Sequence, residues 1–252
     1  MKKILILLLK LIGALFIVGA IGVFAIIIKY RLELPNIQSM VEDYKPQMAT
    51  IIYDKNNNVV DTLSVESREI AKLENISPYI KEAFLAIEDK QFYSHHGLNF
   101  RGITRAVITT FLKGRPTQGG SSITQQLAKN AFLTPERTFS RKVKEAILTY
   151  QIERTYTKDE ILEIYLNTIY FGHGTYGIRE ASQTYFNKTP DTLNLAQCAM
   201  LAGLPQAPSA YDPIDNPEEG FKRMVLVLTL MTAAGDCTAT EAAVAPTMLW
   251  NK

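Results

Sequence analysis

Three groups of residues in this 252-residue chain have the types and spacing to do chemistry. The first is the polar block Glu88-Asp89-Lys90-Gln91-Phe92-Tyr93-Ser94-His95-His96-Gly97, which follows the apolar stretch Ala83-Phe84-Leu85-Ala86-Ile87. Ser77 is a good N-cap and Pro78 suits a first helical position, so a helix is expected here. At about 100° per residue, Ile80, Phe84, Leu85, Ile87 and Phe92 fall on one apolar arc. Glu88 lies inside that arc, while Asp89 and Glu82 lie outside it. Desolvation of Glu88 would raise its pKa toward that of a working proton acceptor. The alternative is a structural glutamate satisfied by a neighbouring cation, because ion pairs also perturb pKa values.

The second group is Gly119-Gly120-Ser121-Ser122-Ile123-Thr124-Gln125-Gln126-Leu127-Ala128-Lys129-Asn130. Glycine permits close backbone approach to a ligand. The hydroxyls and amides suit a polyhydroxylated or amide-bearing substrate, and Lys129 offers a point charge for a phosphate. The glycines lack P-loop spacing. The bland reading is a Gly-Ser loop followed by a capped helix. The third group is Arg137-Thr138-Phe139-Ser140-Arg141-Lys142-Val143-Lys144-Glu145. On a helix Arg141 and Glu145 are i,i+4 neighbours and could be a surface ion pair worth little. The functional reading is an anion cradle in which Arg137, Arg141, Lys142 and Lys129 hold a pyrophosphate. A further block, Lys158 through Ile161, Glu163 and Tyr165-Leu166-Asn167, reads mainly as scaffold by its periodicity.

Metal chemistry finds no support in the spacing. His95 and His96 are adjacent and would diverge on a helix, and His173 stands alone in a Gly-rich loop. No H-E-x-x-H, Cys/His cluster or Gly-x-Ser-x-Gly elbow is present. What remains is two carboxylates, Glu88 and Glu145, with cations, hydroxyls and amides. Beside a membrane, that inventory suits transfer of a sugar from a lipid-linked pyrophosphate.

The elements around these groups supply the membrane. Leu11 to Ile28 contains no charge and no proline, and Lys2, Lys3 and Lys10 precede it. The run is slightly short of the ~20 residues a bilayer needs, but Ile4 to Leu9 extend it if Lys10 snorkels. It is longer than a signal-peptide core and is read as an uncleaved anchor over 11–30, with 1–10 as a short cytoplasmic N-terminus. A net charge of +2 gives no argument for nucleic acid. Cys198, in an apolar run, reads as a buried small hydrophobe, and a disulfide with Cys237 is left open. Thr50 to Tyr53 and Val59 to Leu63 flank Asp54-Lys55-Asn56-Asn57-Asn58 and read as a hairpin. Phe100 to Leu112 is either core or a surface helix dipping into lipid headgroups. Thr134-Pro135 marks a helix start, and Thr157 to Glu160 is a capping box. Tyr170 to Gly177 reads as a loop. Asn194 to Leu204 reads as an apolar helix ended by Pro205 and Pro208.

The ordered motifs Glu88-Asp89-x-x-Phe92-x-x-His95-x-Gly97, Gly120-Ser121-x-x-Thr124-Gln125-Gln126-x-x-Lys129-Asn130, Arg137 with Arg141-Lys142-x-x-Glu145, and Lys158-x-x-Ile161-x-Glu163-x-Tyr165-Leu166-Asn167 resemble those of the bacterial peptidoglycan glycosyltransferases. These enzymes form the transglycosylase domain of class A penicillin-binding proteins and the monofunctional transglycosylases. The resemblance covers roughly residues 49–245, with Ser122 where many members have threonine. It implies a mainly α, lysozyme-like domain over 47–246 with a membrane-proximal jaw at Phe100 to Leu112. A short β element and one N-terminal transmembrane helix precede it.

By resemblance, the substrates are lipid II and the growing lipid-linked glycan chain, and the partners are the membrane and other cell-wall synthesis or division proteins. Glu88 is the general base on the acceptor 4-hydroxyl. Lys129, Arg137 and Lys142 stabilise the departing pyrophosphate, with Glu145 orienting them or a divalent ion. Asp89, Phe92, His95, Gly97, Gly120, Ser121, Thr124, Gln125, Gln126, Asn130 and Arg141 complete the substrate-binding set. No cofactor is required, with Mg or Mn at the pyrophosphate as the one ion the resemblance admits. Location is the cytoplasmic membrane with the catalytic domain outside. No Ser-x-x-Lys, Ser-x-Asn or Lys-Thr-Gly set is present, so no transpeptidase domain is expected. The competing classes are a lysozyme-like hydrolase, which needs no pyrophosphate cradle, and a catalytically silent scaffold.

Overall fold

The structure, a computed structural model, describes residues 2–34, 50–53, 59–63, 70–99, 104, 120–134, 136 and 138–250. The N-terminal apolar run forms one long helix, α1 (Lys2–Glu33). Its stretch Gly13–Glu33 has a mean hydropathy of 2.2 and no buried residue, so its side chains find no protein core to enter. At 1.5 Å per residue such a stretch is about 30 Å long, the thickness of a bilayer hydrocarbon core. Strands β1 (Thr50–Tyr53) and β2 (Val59–Leu63) pair antiparallel, with Thr50 opposite Leu63 and a register irregularity between Ile52 and Tyr53. The expected hairpin is therefore present, and its loop 54–58 lies outside the described residues.

The remainder is helical and falls into two packed groups. The first is α2 (Pro78–Glu88), α7 (Leu195–Gly203) and α9 (Pro217–Ala234). Helix α7 is buried along its whole length and touches both of the others. Its nine residues carry no charge, which is why it can sit at the centre. The second group is α3 (Ile123–Phe132), α4 (Phe139–Thr155) and α5 (Lys158–Thr168), with α3 packed on both neighbours. Helix α4 also contacts α1. Phe84 on α2 ties the groups together through edge-on contacts with Tyr165 on α5 and with Phe171, at centroid distances of 6.1 and 6.0 Å.

Short elements complete the chain: α6 (Ile178–Phe186), α8 (Pro208–Tyr211) and α10 (Ala239–Val244). Where a loop is expected, β3 (Tyr170–Gly172) and β4 (Thr175–Tyr176) form a tight hairpin. Its turn needs left-handed backbone at His173 and Gly174, at φ of 52° and 74°, which glycine supplies freely and an isolated histidine tolerates. Reading the glycines as loop missed the two-strand pairing they permit. The apolar helix expected over Asn194 to Leu204 is present, with Asn194 capping α7 in a full capping box. Helix α4 starts at Phe139 behind the Thr138 cap, four residues beyond the expected Thr134-Pro135 start. Both cysteines are free and buried, and burial pushes the Cys198 thiol up to about 12.

Candidate active site

Glu88 is the last residue of α2, at the seam between the two helix groups. Pro78 opens that helix as expected, but the Ser77 hydroxyl does not cap it; its backbone N–H donates to Pro190 instead, at 3.0 Å. Glu88 is half-buried. Its Oε2 accepts from Gln126 Nε2 on α3 at 2.7 Å, and the buried Tyr165 hydroxyl donates to Gln126 Oε1 at 3.3 Å. Gln126 is thus oriented from α5 and presents a donor to the carboxylate. Burial raises the Glu88 pKa; the Gln126 hydrogen bond and the charges of Arg223 and Lys129 oppose the rise, and the charge of Asp89 adds to it. A carboxylate at a helix C-terminus also faces the negative end of the helix dipole, which favours protonation. The expected desolvation of Glu88 is present.

Two parts of the local expectation are corrected. Phe92 does not continue the apolar arc, because α2 stops at Glu88 and Phe92 sits on a separate 3-10 turn, Phe92–Ser94. It is fully buried, with Lys158 Nζ 4.4 Å from its ring centroid. Asp89, placed outside the arc, is the more buried carboxylate, at 5% exposure. The chain leaves helical geometry there, so helical angles no longer say where the side chain points. Asp89 Oδ2 accepts from His95 Nε2 at 2.8 Å and from the Ile123 backbone N–H at 3.2 Å. His95 Nδ1 accepts from the Gly97 N–H at 3.1 Å, which leaves the ring proton on Nε2, pointing at Asp89.

Gly97 closes this loop onto the helices behind it. It has φ of 86°, and a Cβ there would lie 2.7 Å from Thr149 Cγ2 and 2.9 Å from Glu153 Cγ. Its carbonyl accepts from the Ser122 hydroxyl. Ser122 and Gln125 form a capping box at the start of α3. Gln125 is 3% exposed and also donates to Glu145 Oε1 at 3.3 Å. Thr124 is fully buried and donates to Glu153 Oε1 at 2.5 Å. The hydroxyls and amides of this motif were expected to face a substrate. Ser122, Thr124 and Gln125 instead make internal bonds, because the N-terminus of α3 is buried and its donors need partners. Gly120 and Ser121 are half-buried, and Lys129 and Asn130 are exposed.

The cation cluster forms around Glu145, which is 2% exposed. It accepts from Arg141 Nη1 at 2.9 Å and from Lys142 Nζ, in addition to Gln125. This is a buried pair and not the surface i,i+4 pair considered from sequence. With both oxygens engaged by donors of its own chain and cations on two sides, Glu145 is a poor ligand for a divalent ion. Lys129 has its pKa lowered, first by loss of solvent around it and then by the charges of Arg141 and Lys142, while Glu145 and Glu88 pull it upward. Gln125 bonds Glu145 and Gln126 bonds Glu88, so the two sites adjoin across neighbouring residues of α3, with Lys129 one turn further along that helix. Arg137 lies outside the described residues, as do 100–103 and 105–119, where the jaw was expected.

Arg223 was missed from sequence. It lies on α9, its Nε donates to the Gly203 carbonyl at 3.2 Å, and its guanidinium is 5.1 Å from the Tyr211 ring centroid. Its charge acts on Glu88, and burial lowers its own pKa. A Cβ on Gly203 would meet Arg223 Cγ at 2.8 Å, so the arginine crosses α7 where that helix has no side chain. No local pattern links residues 88, 203 and 223; only a basic residue amid the apolar positions of α9 hinted at it. The fourth block is scaffold as expected. Asn167 bonds both the N–H and the carbonyl of Ala71, at 2.8 and 2.9 Å, and Glu163 accepts from Lys72 Nζ and Leu73 N–H. His173 is not alone: its Nδ1 is 3.2 Å from Asp212 Oδ2 and 4.0 Å from Asp215 Oδ2. Asp212 also accepts from Tyr185 at 3.3 Å and from two backbone N–H groups, which accounts for it structurally.

Comparison with known proteins follows the same residues. The transglycosylase family model matches residues 56–232. Penicillin-binding protein 1A of Neisseria flavescens is 45% identical over 225 residues, covering 89% of this chain and 28% of its own. Penicillin-binding protein 1F of Bacillus subtilis is 47% identical over 194 residues, covering 77% and 27%. Penicillin-binding protein 1A of Aquifex aeolicus is 42% identical over 238 residues, covering 94% and 32%. The crystal structure of penicillin-binding protein 1A from Haemophilus influenzae aligns with 82% of this chain and 21% of its own, at 23% identity and a TM-score of 0.47. This chain therefore spans about a third or less of the length of these relatives. The chain belongs to the transglycosylase family and carries the transglycosylase domain of class A penicillin-binding proteins.

Proposed function

We propose that this chain polymerises lipid II into β-1,4-linked glycan strands of peptidoglycan, at the outer face of the cytoplasmic membrane. One observation carries the proposal: adjacent residues of α3 bond the two carboxylates, Gln126 to Glu88 and Gln125 to Glu145, so the candidate base sits beside the Arg141 and Lys142 cations. A base and an anion site side by side are what a displacement at an anomeric pyrophosphate requires. Glu88 takes the proton of the acceptor 4-hydroxyl as that oxygen attacks the anomeric carbon of the growing chain. The bond from that carbon to the pyrophosphate oxygen breaks as the new one forms, with inversion. Lys129, Arg141 and Lys142, with Arg137 by family resemblance, neutralise the charge that gathers on the leaving group. Glu145 holds Arg141 and Lys142 in place, and Gln126 holds Glu88. Asp89, His95 and Gly97 act by fixing the loop behind Glu88.

The apolar α1 anchors the domain where a lipid-linked donor is found, with the N-terminus inside. A hydrolase would have no use for the cations around Glu145. The test supplies purified protein with lipid II in detergent and resolves products on a gel. Wild type is expected to give glycan polymer and Glu88→Gln none; polymer formed equally well by Glu88→Gln refutes the assignment of the base, and cleavage of finished peptidoglycan refutes the reaction.

A further inference from the structure

Helix α4 carries the cation cluster on one face and a second pattern on another. Phe139, Val143, Ala146, Ile147 and Tyr150 recur at helical spacing, and together with Ile26, Ile27 and Arg31 of α1 they line a groove of about 820 Å³. The groove is predominantly apolar and its remaining walls are Lys142, Gln151, Arg154 and Thr155. Phe139 is 80% exposed and Tyr150 58% exposed, so the ends of the stripe stand open. One wall is the candidate membrane span itself, which puts the groove at the depth where acyl chains meet headgroups. The charged residues that line it are Arg31, Lys142 and Arg154, with no carboxylate among them. The anchor is held beside the groove by Lys144, which pairs with Glu33 at 3.0 Å and lies 5.4 Å from the Tyr30 ring centroid.

We propose that this groove between α1 and α4 binds an anionic phospholipid, for which phosphatidylglycerol is the probe. An acyl chain lies along Val143, Ala146 and Ile147, and the phosphate meets the rim cations. An uncharged or zwitterionic head leaves that excess positive charge unmatched, which gives the site its preference. Arg31 and Arg154 are the principal anion contacts, because Lys142 is already paired with Glu145.

The test is native mass spectrometry of the full-length protein, stripped of lipid in detergent and titrated with phosphatidylglycerol or phosphatidylcholine. The expected result is one retained phosphatidylglycerol with at least a tenfold preference over phosphatidylcholine. Ala146→Trp, which fills the groove, should abolish retention. The double change Arg31→Gln with Arg154→Gln keeps the apolar wall, losing only the Arg154 contact with Tyr150, and should erase the preference even if the tryptophan variant fails to fold. Equal retention of both lipids by wild type, or an undiminished preference in the double variant, overturns the proposal. Stoichiometric displacement of the phospholipid by undecaprenyl phosphate also overturns it, since the groove would then belong to the substrate chain.

Discussion

Replacing Gln126 by methionine isolates one interaction at the base. The side chain keeps its length and loses the donor that reaches Glu88 Oε2 at 2.7 Å. That bond favours the ionised carboxylate, against the burial that raises its pKa. Removing it leaves the rise unopposed on that side, so Glu88 holds its proton to higher pH. A hydrogen bond to a charged group contributes about 1.5–3 kcal/mol. At 1.36 kcal/mol per factor of ten, the loss in kcat/KM on the acid side is on the order of 10- to 150-fold. The deficit should shrink as pH rises and more of Glu88 ionises. The assay is polymerisation of lipid II across a pH series, with the acid limb compared between wild type and Gln126→Met. Loss of the acceptor for the buried Tyr165 hydroxyl costs about 1–3 kcal/mol of stability, visible separately as a lower Tm. An acid limb at the wild-type pH, with a loss that is the same at every pH, would show that Gln126 does not tune the base.

Glu88→Gln should raise thermal stability at neutral pH while ending polymerisation. The folded pKa is raised, so the stability that Glu88 supplies is complete below its unfolded value of about 4.3 and is lost as pH rises through the folded value. A neutral glutamine does not titrate, so the Tm gap should open with increasing pH; a gap that closes instead contradicts the burial argument. Lys129→Ala should lower kcat by about 100- to 1,000-fold, the scale of removing one charge-stabilising donor, and near-wild-type turnover would take Lys129 out of the site. Gly97→Ala should destabilise by about 1–3 kcal/mol through its positive φ, and by more if Thr149 cannot yield; an unchanged Tm in a thermal melt would count against the close packing of that loop.

Much of this was legible in the sequence because it is local. The capping boxes at Ser122 and Thr157, the α7 cap at Asn194 and the apolar anchor each declare themselves within a few residues. Glu88 stood out for the same reason, as a carboxylate among apolar helical positions. What escaped reading is long-range. The burial of Asp89 depends on the Ile123 N–H, and the internal use of Gln125 depends on Glu145. Arg223 reaches Glu88 through the packing of α9 on α2, with its side chain lying over Gly203 of α7. Helical periodicity also failed at Phe92 for a local cause: the helix ended four residues earlier, and no proline or glycine marks that end.

The contact of α4 with α1 has a mechanical consequence. The same helix carries Arg141, Lys142 and Glu145 and meets the candidate membrane span α1 through Lys144 and Glu33. A bilayer thinner or thicker than the apolar stretch makes such an anchor tilt or makes the lipid deform around it. A tilt of α1 that carried α4 with it would shift these cations relative to Glu88, which rides on the other helix group. Under the proposed function, hydrocarbon thickness would act on the spacing between Glu88 and the cations of α4, and membrane composition would join substrate concentration among the quantities that set the rate.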